Sequence, residues 1–213
     1  MSEPVQKKTS RKAILFQAAL DELRSLGWQV ERIPGNRKSS LRRLTNATTS
    51  AFATIRTSQD RHIAFPRDDL DDCWLTLNDA DVVVIAALND PEEPKEILIH
   101  MIKASDMRDR FDRAYDARIG AGYTIPIGRG LWLPLYVPES ESQPNLVGAG
   151  AGLEFPPVAR TPLPAEWNGA DGGNPEGSDA DEEFSPLTIN EAKLRLARTL
   201  GVQPVAIRIT VEA

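Results

Sequence analysis

Seven cations fall between residues 37 and 67: Arg37, Lys38, Arg42, Arg43, Arg56, Arg61 and Arg67. Between Glu31 and Asp60 there is no carboxylate to neutralise them. A guanidinium fork matches the paired oxygens of a phosphate. Contacts of that kind hold a nucleic-acid backbone without reading its sequence, and they weaken as salt rises. The chemistry offered by this stretch is therefore binding of a polyanion, DNA or RNA, rather than breaking of a bond. The competing reading is a basic surface that only aids solubility. Strand parity adds a constraint, because Arg42 shares a face with Leu44 and Arg43 shares the other with Leu41. The cations cannot all line one side.

Other residue types capable of chemistry are sparse. Ser58, Asp60 and His62 carry the letters of a nucleophile triad. Three residues within one short turn are poorly placed to form a relay, and such residues usually satisfy nearby backbone groups. His62, His100 and Cys73 have no short ligand spacing, which argues against a structural zinc site. His100 sits in an apolar run and is expected as a hydrogen-bonded core histidine. Asp68, Asp69, Asp71 and Asp72 lack the central glycine and terminal glutamate of a calcium loop. The GAGAG of residues 148–152 lacks a following Gly-Lys-Ser/Thr, so it is weak as a phosphate loop. No catalytic residue, metal ligand set or cofactor is assigned.

The elements that must position the cations follow from length and pattern. At 213 residues the chain suits one domain with an appendage. The formal net charge of -6 conceals a basic front and an acidic back. Residues 1–67 sum to about +8 and residues 68–213 to about -14, which permits a polyanion-binding face on an acidic protein. A single cysteine precludes an internal disulfide and fits a reducing compartment, so a cytoplasmic location is expected. The start has no apolar signal-peptide core. No apolar run approaches the roughly 20 residues of a membrane helix, so no membrane partner is expected.

Residues 1–9 read as a flexible arm and residues 10–137 as an α+β core. The stretch 10–28 is a predicted helix, capped by Ser10 and closed by Gly27, with Phe16, Ala19, Leu20, Leu23 and Leu26 on its apolar face. Strands are predicted in 28–34, in SSLRRLTNA, in SAFATIRTS and in HIAFP, the last two forming a hairpin around a polar turn. The acidic stretch after residue 66 is expected as loop or a short helical turn. DVVVIAAL (81–88) is a continuous β-branched run, as required of a strand covered on both faces. EILIHMI (96–102) is its expected antiparallel partner. Residues 105–122 form a predicted second helix, capped by Ser105, and GLWLPLYV a final strand placed at an edge by Pro134. The fold class is α+β, with a mixed, mostly antiparallel sheet flanked by helices.

Residues 138–187 contain eight Pro, seven Gly and ten acids against one base. Such composition offers little apolar surface to offset chain entropy, so a largely irregular or mobile linker is expected. The part from Asn145 to Ala159 is able to dock through Leu146, Val147, Leu153 and Phe155. Residues 188–213 regain pattern: a capping box from Thr188 to Glu191, a helix closing at Gly201, then an alternating strand in VAIRITV. A unit of that size cannot fold alone. It must dock on the core, on a protein partner, or on a second copy of the chain.

The order of helix, antiparallel strands, apolar strand, strand and helix over residues 10–120 resembles the restriction-endonuclease-like fold of the PD-(D/E)XK superfamily. The stretch from FATIRTSQDRHIAFP through DVVVIAALNDPEEPKEILIHMI carries the likeness. The resemblance implies an Asp on one strand and a Glu-x-Lys on the next, holding a divalent metal. Here Ile55-Arg56-Thr57 stands where Glu-x-Lys would be expected, and an arginine cannot ligate a cation. The implied protein is a degenerate, non-cleaving relative. An alternative register pairs Asp81 with Glu93-Pro94-Lys95, although proline in a turn replaces an apolar strand residue. Glu191-Ala192-Lys193 fits the letters but lies in a predicted helix.

The leading reading is thus a non-catalytic, cytoplasmic protein of bacterial type that binds nucleic acid or another polyanion through a degenerate nuclease-like core. The alternatives are an interaction or assembly module acting through residues 188–213, and a divergent metal-dependent nuclease using Asp81, Glu93 and Lys95.

Overall fold

A computed structural model describes residues 10–33, 40–68, 73–125, 130–170 and 208. Helix α1 (Arg11–Ser25) opens the chain. The Ser10 hydroxyl accepts from the Ala13 N–H at 3.2 Å, and Gly27 reverses the chain at φ +87. Ile14, Leu15, Ala19 and Leu23 are its buried residues, while Leu26 stays 46% exposed. Phe16 and Leu20 pack against the same cluster, so the expected apolar face turns inward except at Leu26, which lies beyond the helix as its C-cap.

The main sheet contains β1 (Gln29–Arg32), β2 (Leu41–Thr45), β3 (Ser50–Ser58), β6 (Val82–Leu88), β7 (Glu96–Lys103) and β9 (Ala159–Pro162), in the order β1-β2-β3-β6-β7-β9. All neighbours are antiparallel except β3 and β6. Strand β6 is central, and its apolar run has the expected cause. Val83, Ile85 and Ala87 face one layer, Val84, Ala86 and Leu88 the other, and all six are buried. A central strand covered on both sides has no solvated face for polar residues.

A second, three-stranded sheet lies over one face in the order β5-β4-β8, formed by β4 (His62–Asp68), β5 (Cys73–Trp74) and β8 (Gly130–Pro134). With α2 (Ala104–Gly120) it buries Ile63, Phe65, Leu131, Met107 and Phe111 against Val83, Ile85 and Ile102. Helix α1 covers the opposite face, together with Trp167. The protein is an α+β fold with a mixed, mostly antiparallel sheet flanked by helices.

Two local expectations are corrected. Residues 50–66 do not form a hairpin: β3 is hydrogen-bonded on both edges, by β2 and β6, so it has no edge left for β4. The chain instead turns at Arg61, at φ 65, and β4 joins the covering sheet. Helix α2 begins at Ala104, not behind a Ser105 cap, because the Ala104 N–H continues from the sheet by donating to the Asp81 carbonyl at 2.9 Å.

Residues 138–170, expected as the first part of a linker, pack on the core. Helix α3 (Ala151–Glu154) and β9 lie in this stretch, and Val147, Ala149, Ala151 and Trp167 are buried. The buried Arg110 of α2 fastens it by donating to the carbonyls of Gly148 and Ala149, at 3.2 and 2.6 Å, and pairing with Glu154. These polar ties replace the apolar density that the sequence lacks. The expected helix-strand unit at 188–213 and the remainder of the linker lie outside the described residues, apart from Arg208. No helix among the described residues is long and apolar enough to cross a membrane.

Candidate nucleic-acid interface

The β1–β2 hairpin forms one edge of the main sheet. Residues 29–45 contain Arg32, Arg37, Lys38, Arg42 and Arg43 against the single acid Glu31. The register sets Glu31 opposite Arg43 and Arg32 opposite Arg42. The first is an opposite-charge pair and the second a like-charge pair, which is unfavourable on a sheet.

Arg42 lies on the α1 side, with its guanidinium 5.0 Å from the Phe16 ring centre and donating to the Leu41 carbonyl at 2.8 Å. Burial, and then the Arg32 charge, lowers the pKa of Arg42. Arg43 lies on the opposite face and is exposed, 5.6 Å from the ring of Phe52, which is itself 39% exposed. Arg43 and the partly exposed Phe52 of β3 thus set cation and aromatic surface side by side on the face away from α1. That combination suits a polyanion whose bases or sugars offer flat surface beside phosphate.

The remaining cations of the sequence reading are dispersed. Arg37 and Lys38 fall between β1 and β2 in sequence, outside the described residues. Arg56 is 3% exposed beneath the covering sheet, 4.5 Å from the Phe65 ring centre and donating to the Thr76 hydroxyl. Phosphate has no path to it while the fold is intact. Arg67, with an 11% exposed side chain, lies 3.8 Å from the ring centre of Tyr115 and 5.0 Å from that of Trp74, and 3.9 Å from an Asp112 oxygen. Arg61 stacks on Tyr136 at 4.2 Å, and its Nε is buried without a hydrogen-bond partner. Of the five described cations, only Arg42 and Arg43 share the hairpin, and the structure adds Arg32 to them. Its placement was legible in principle: Val30 and Arg32 share a parity, so an antiparallel register of Val30 on Leu44 sets Arg32 on Arg42.

The other candidates take local roles. The Ser58 hydroxyl donates to the His62 carbonyl at 2.6 Å, and the His62 ring nitrogen Nδ1 meets the Asp60 carbonyl at 2.9 Å. These side chains close a turn and form no relay. His100 is fully buried, between the Phe155 carbonyl and the Tyr136 hydroxyl, both at 2.8 Å. A carbonyl can only accept, so Nδ1 carries the proton and Nε2 accepts from Tyr136. Burial lowers the His100 pKa and pushes the Tyr136 phenol up to about 12.

Asp81 stands just before β6 and accepts from the Phe52 N–H at 2.9 Å, whereas Glu93 lies in the turn beyond the strand's other end. Seven strand residues separate the two ends, roughly 20 Å. Asp81 and Glu93 therefore do not share a metal site. Asp68 belongs to β4, but no structural role follows for the acidic run with Asp69, Asp71 and Asp72, most of which falls outside the described residues.

No family model, no curated protein and no solved structure matches this chain. What the hairpin can do follows from its own charge and register.

Proposed function

We propose that this chain binds nucleic acid without cleaving it, through the basic β1–β2 hairpin, on a core resembling the restriction-endonuclease-like fold but lacking the carboxylates that would hold a metal there. The observation that carries the reading is the cross-strand setting of Arg32 on Arg42, within a hairpin of five cations and one acid. A pair of like charges side by side lowers stability. A phosphate between them would reverse that sign, since one anion satisfies both cations. The absence of carboxylates on β2 and β3, whose sequences are LRRLT and SAFATIRTS, supports the non-cleaving part.

If all five cations met phosphate, log K would fall against log salt with a slope of about -4.5 on duplex DNA. Between 50 and 200 mM salt that corresponds to a loss of about 500-fold in affinity. Fluorescence anisotropy of labelled single- and double-stranded DNA and RNA, with and without magnesium or manganese, tests the reading. Salt-sensitive binding with intact probes is expected. Absence of binding at 50 mM salt, or metal-dependent cleavage, would overturn it.

A further inference from the structure

At the sheet edge opposite the hairpin, α1 and β9 leave a groove of about 370 Å³. Ile14 and Ala18 of α1 and Ile97 of β7 supply its apolar floor. Its rim carries three carboxylates, Asp21, Glu22 and Glu166, and no cation is among its lining residues. Glu22 accepts from the Thr161 hydroxyl at one oxygen and from the Ser25 hydroxyl at the other, at 3.1 Å, and Asp21 pairs with Arg24. The wall containing Pro164 and Glu166 leads directly to the last residues before position 171.

We infer that the groove is the docking site for residues 188–201 of the same chain. Three observations favour this occupant over any other. The segment is amphipathic by sequence, with Ala192, Leu196 and Leu200 at a spacing of four residues. Its charged residues are Lys193, Arg195 and Arg198 against Glu191, a net +2 that complements the acidic rim. The chain also leaves the core from the groove's own wall, and the connecting stretch 171–187 is strongly acidic and without a base. Seventeen extended residues reach on the order of 55 Å, so the tether does not restrict the docking. Short tethers of this kind give effective concentrations in the millimolar range. A weak apolar contact with a charged rim is then sufficient to hold the segment. The hairpin lies at the other end of the sheet order, so docking here leaves it open.

Zero-length carbodiimide coupling of the full chain, followed by peptide mass analysis, tests the inference. An amide between Lys193 and Asp21, Glu22 or Glu166 is expected in the monomer band, independent of protein concentration. It should fall at least tenfold in the Leu196→Asp, Leu200→Asp variant, which changes no residue of the described core. It should fall likewise in Ala18→Lys, provided near-ultraviolet circular dichroism shows that variant folded. Three results would overturn the inference: no such amide, an amide that survives in the tail variant, or one confined to a dimer band. The last would assign the groove to a second copy.

Discussion

Replacing Arg32 with Gln should raise stability and lower nucleic-acid affinity together. Arg32 faces Arg42 across the β1–β2 ladder, and Arg42 is held partly out of water against Phe16. Like charges directly opposite on a sheet cost roughly 0.2–1 kcal/mol. Arg32 is exposed, which places this pair in the lower half of that range, about 0.5 kcal/mol. With a urea m-value of about 2 kcal/mol/M, the unfolding midpoint should rise by about 0.2 M in 20 mM salt. In 1 M salt the screening length shrinks to about 3 Å and the gain should vanish. In an Arg42→Gln background the same substitution should add nothing, as a double-mutant cycle requires. On duplex DNA the slope of log K against log salt should flatten by about 0.9, one phosphate contact. A midpoint that falls, or a gain that persists in 1 M salt, would refute the repulsion argument. Unchanged DNA affinity would remove Arg32 from the interface.

Arg56→Met should cost about 2 kcal/mol in urea unfolding, from the lost charge-assisted bond to Thr76 and the ring contact with Phe65, and leave DNA affinity of the folded protein unchanged. A stability change below about 0.5 kcal/mol would show that Arg56 holds nothing there. His100 has a lowered folded pKa, so the unfolded chain accepts a proton near pH 6.5 that the folded chain refuses. Stability should therefore fall as pH drops from about 6.5 toward the folded value, by at most about 1.4 kcal/mol per pH unit, and His100→Gln should flatten that limb. An added Cβ at Gly148 would lie 2.4 Å from the Arg110 carbonyl oxygen, at a backbone φ of +79. Gly148→Ala should thus lower stability by about 3 kcal/mol, seen as a lower midpoint in thermal melting, and a wild-type midpoint would contradict the packing of residues 146–154 on α2.

The parts of this fold legible in the sequence are those whose neighbours are close in the chain or whose pattern is one-dimensional. The buried run of β6, its partner β7 and the Ser10 cap of α1 are of that kind. Pairing choices are not. The segment 50–66 has the pattern of a hairpin, yet β3 takes β6 as its second neighbour, twenty-five or more residues onward, and sends β4 elsewhere. The fate of the arginines is likewise set by distant rings. Arg61 meets Tyr136 and Arg67 meets Tyr115, partners about fifty or more residues away, so a count of cations between 37 and 67 overstates the charge available to a ligand. Residues 138–170 have a linker's composition because a buried arginine, Arg110, and the backbone carbonyls it binds do what apolar side chains usually do. Nothing local in the sequence distinguishes Arg110 from the other arginines of α2.

The most direct test of the central claim is the salt dependence of binding to a random-sequence 20-base-pair duplex, compared between the full chain and an Arg32→Gln, Arg42→Gln, Arg43→Gln variant. The variant retains Arg37 and Lys38 and alters no fully buried residue, so it should remain folded by circular dichroism. The variant should bind more weakly at every salt concentration, with a log–log slope flatter by about 2.7, three phosphate contacts. A folded variant with the slope and affinity of the unaltered chain would contradict the claim.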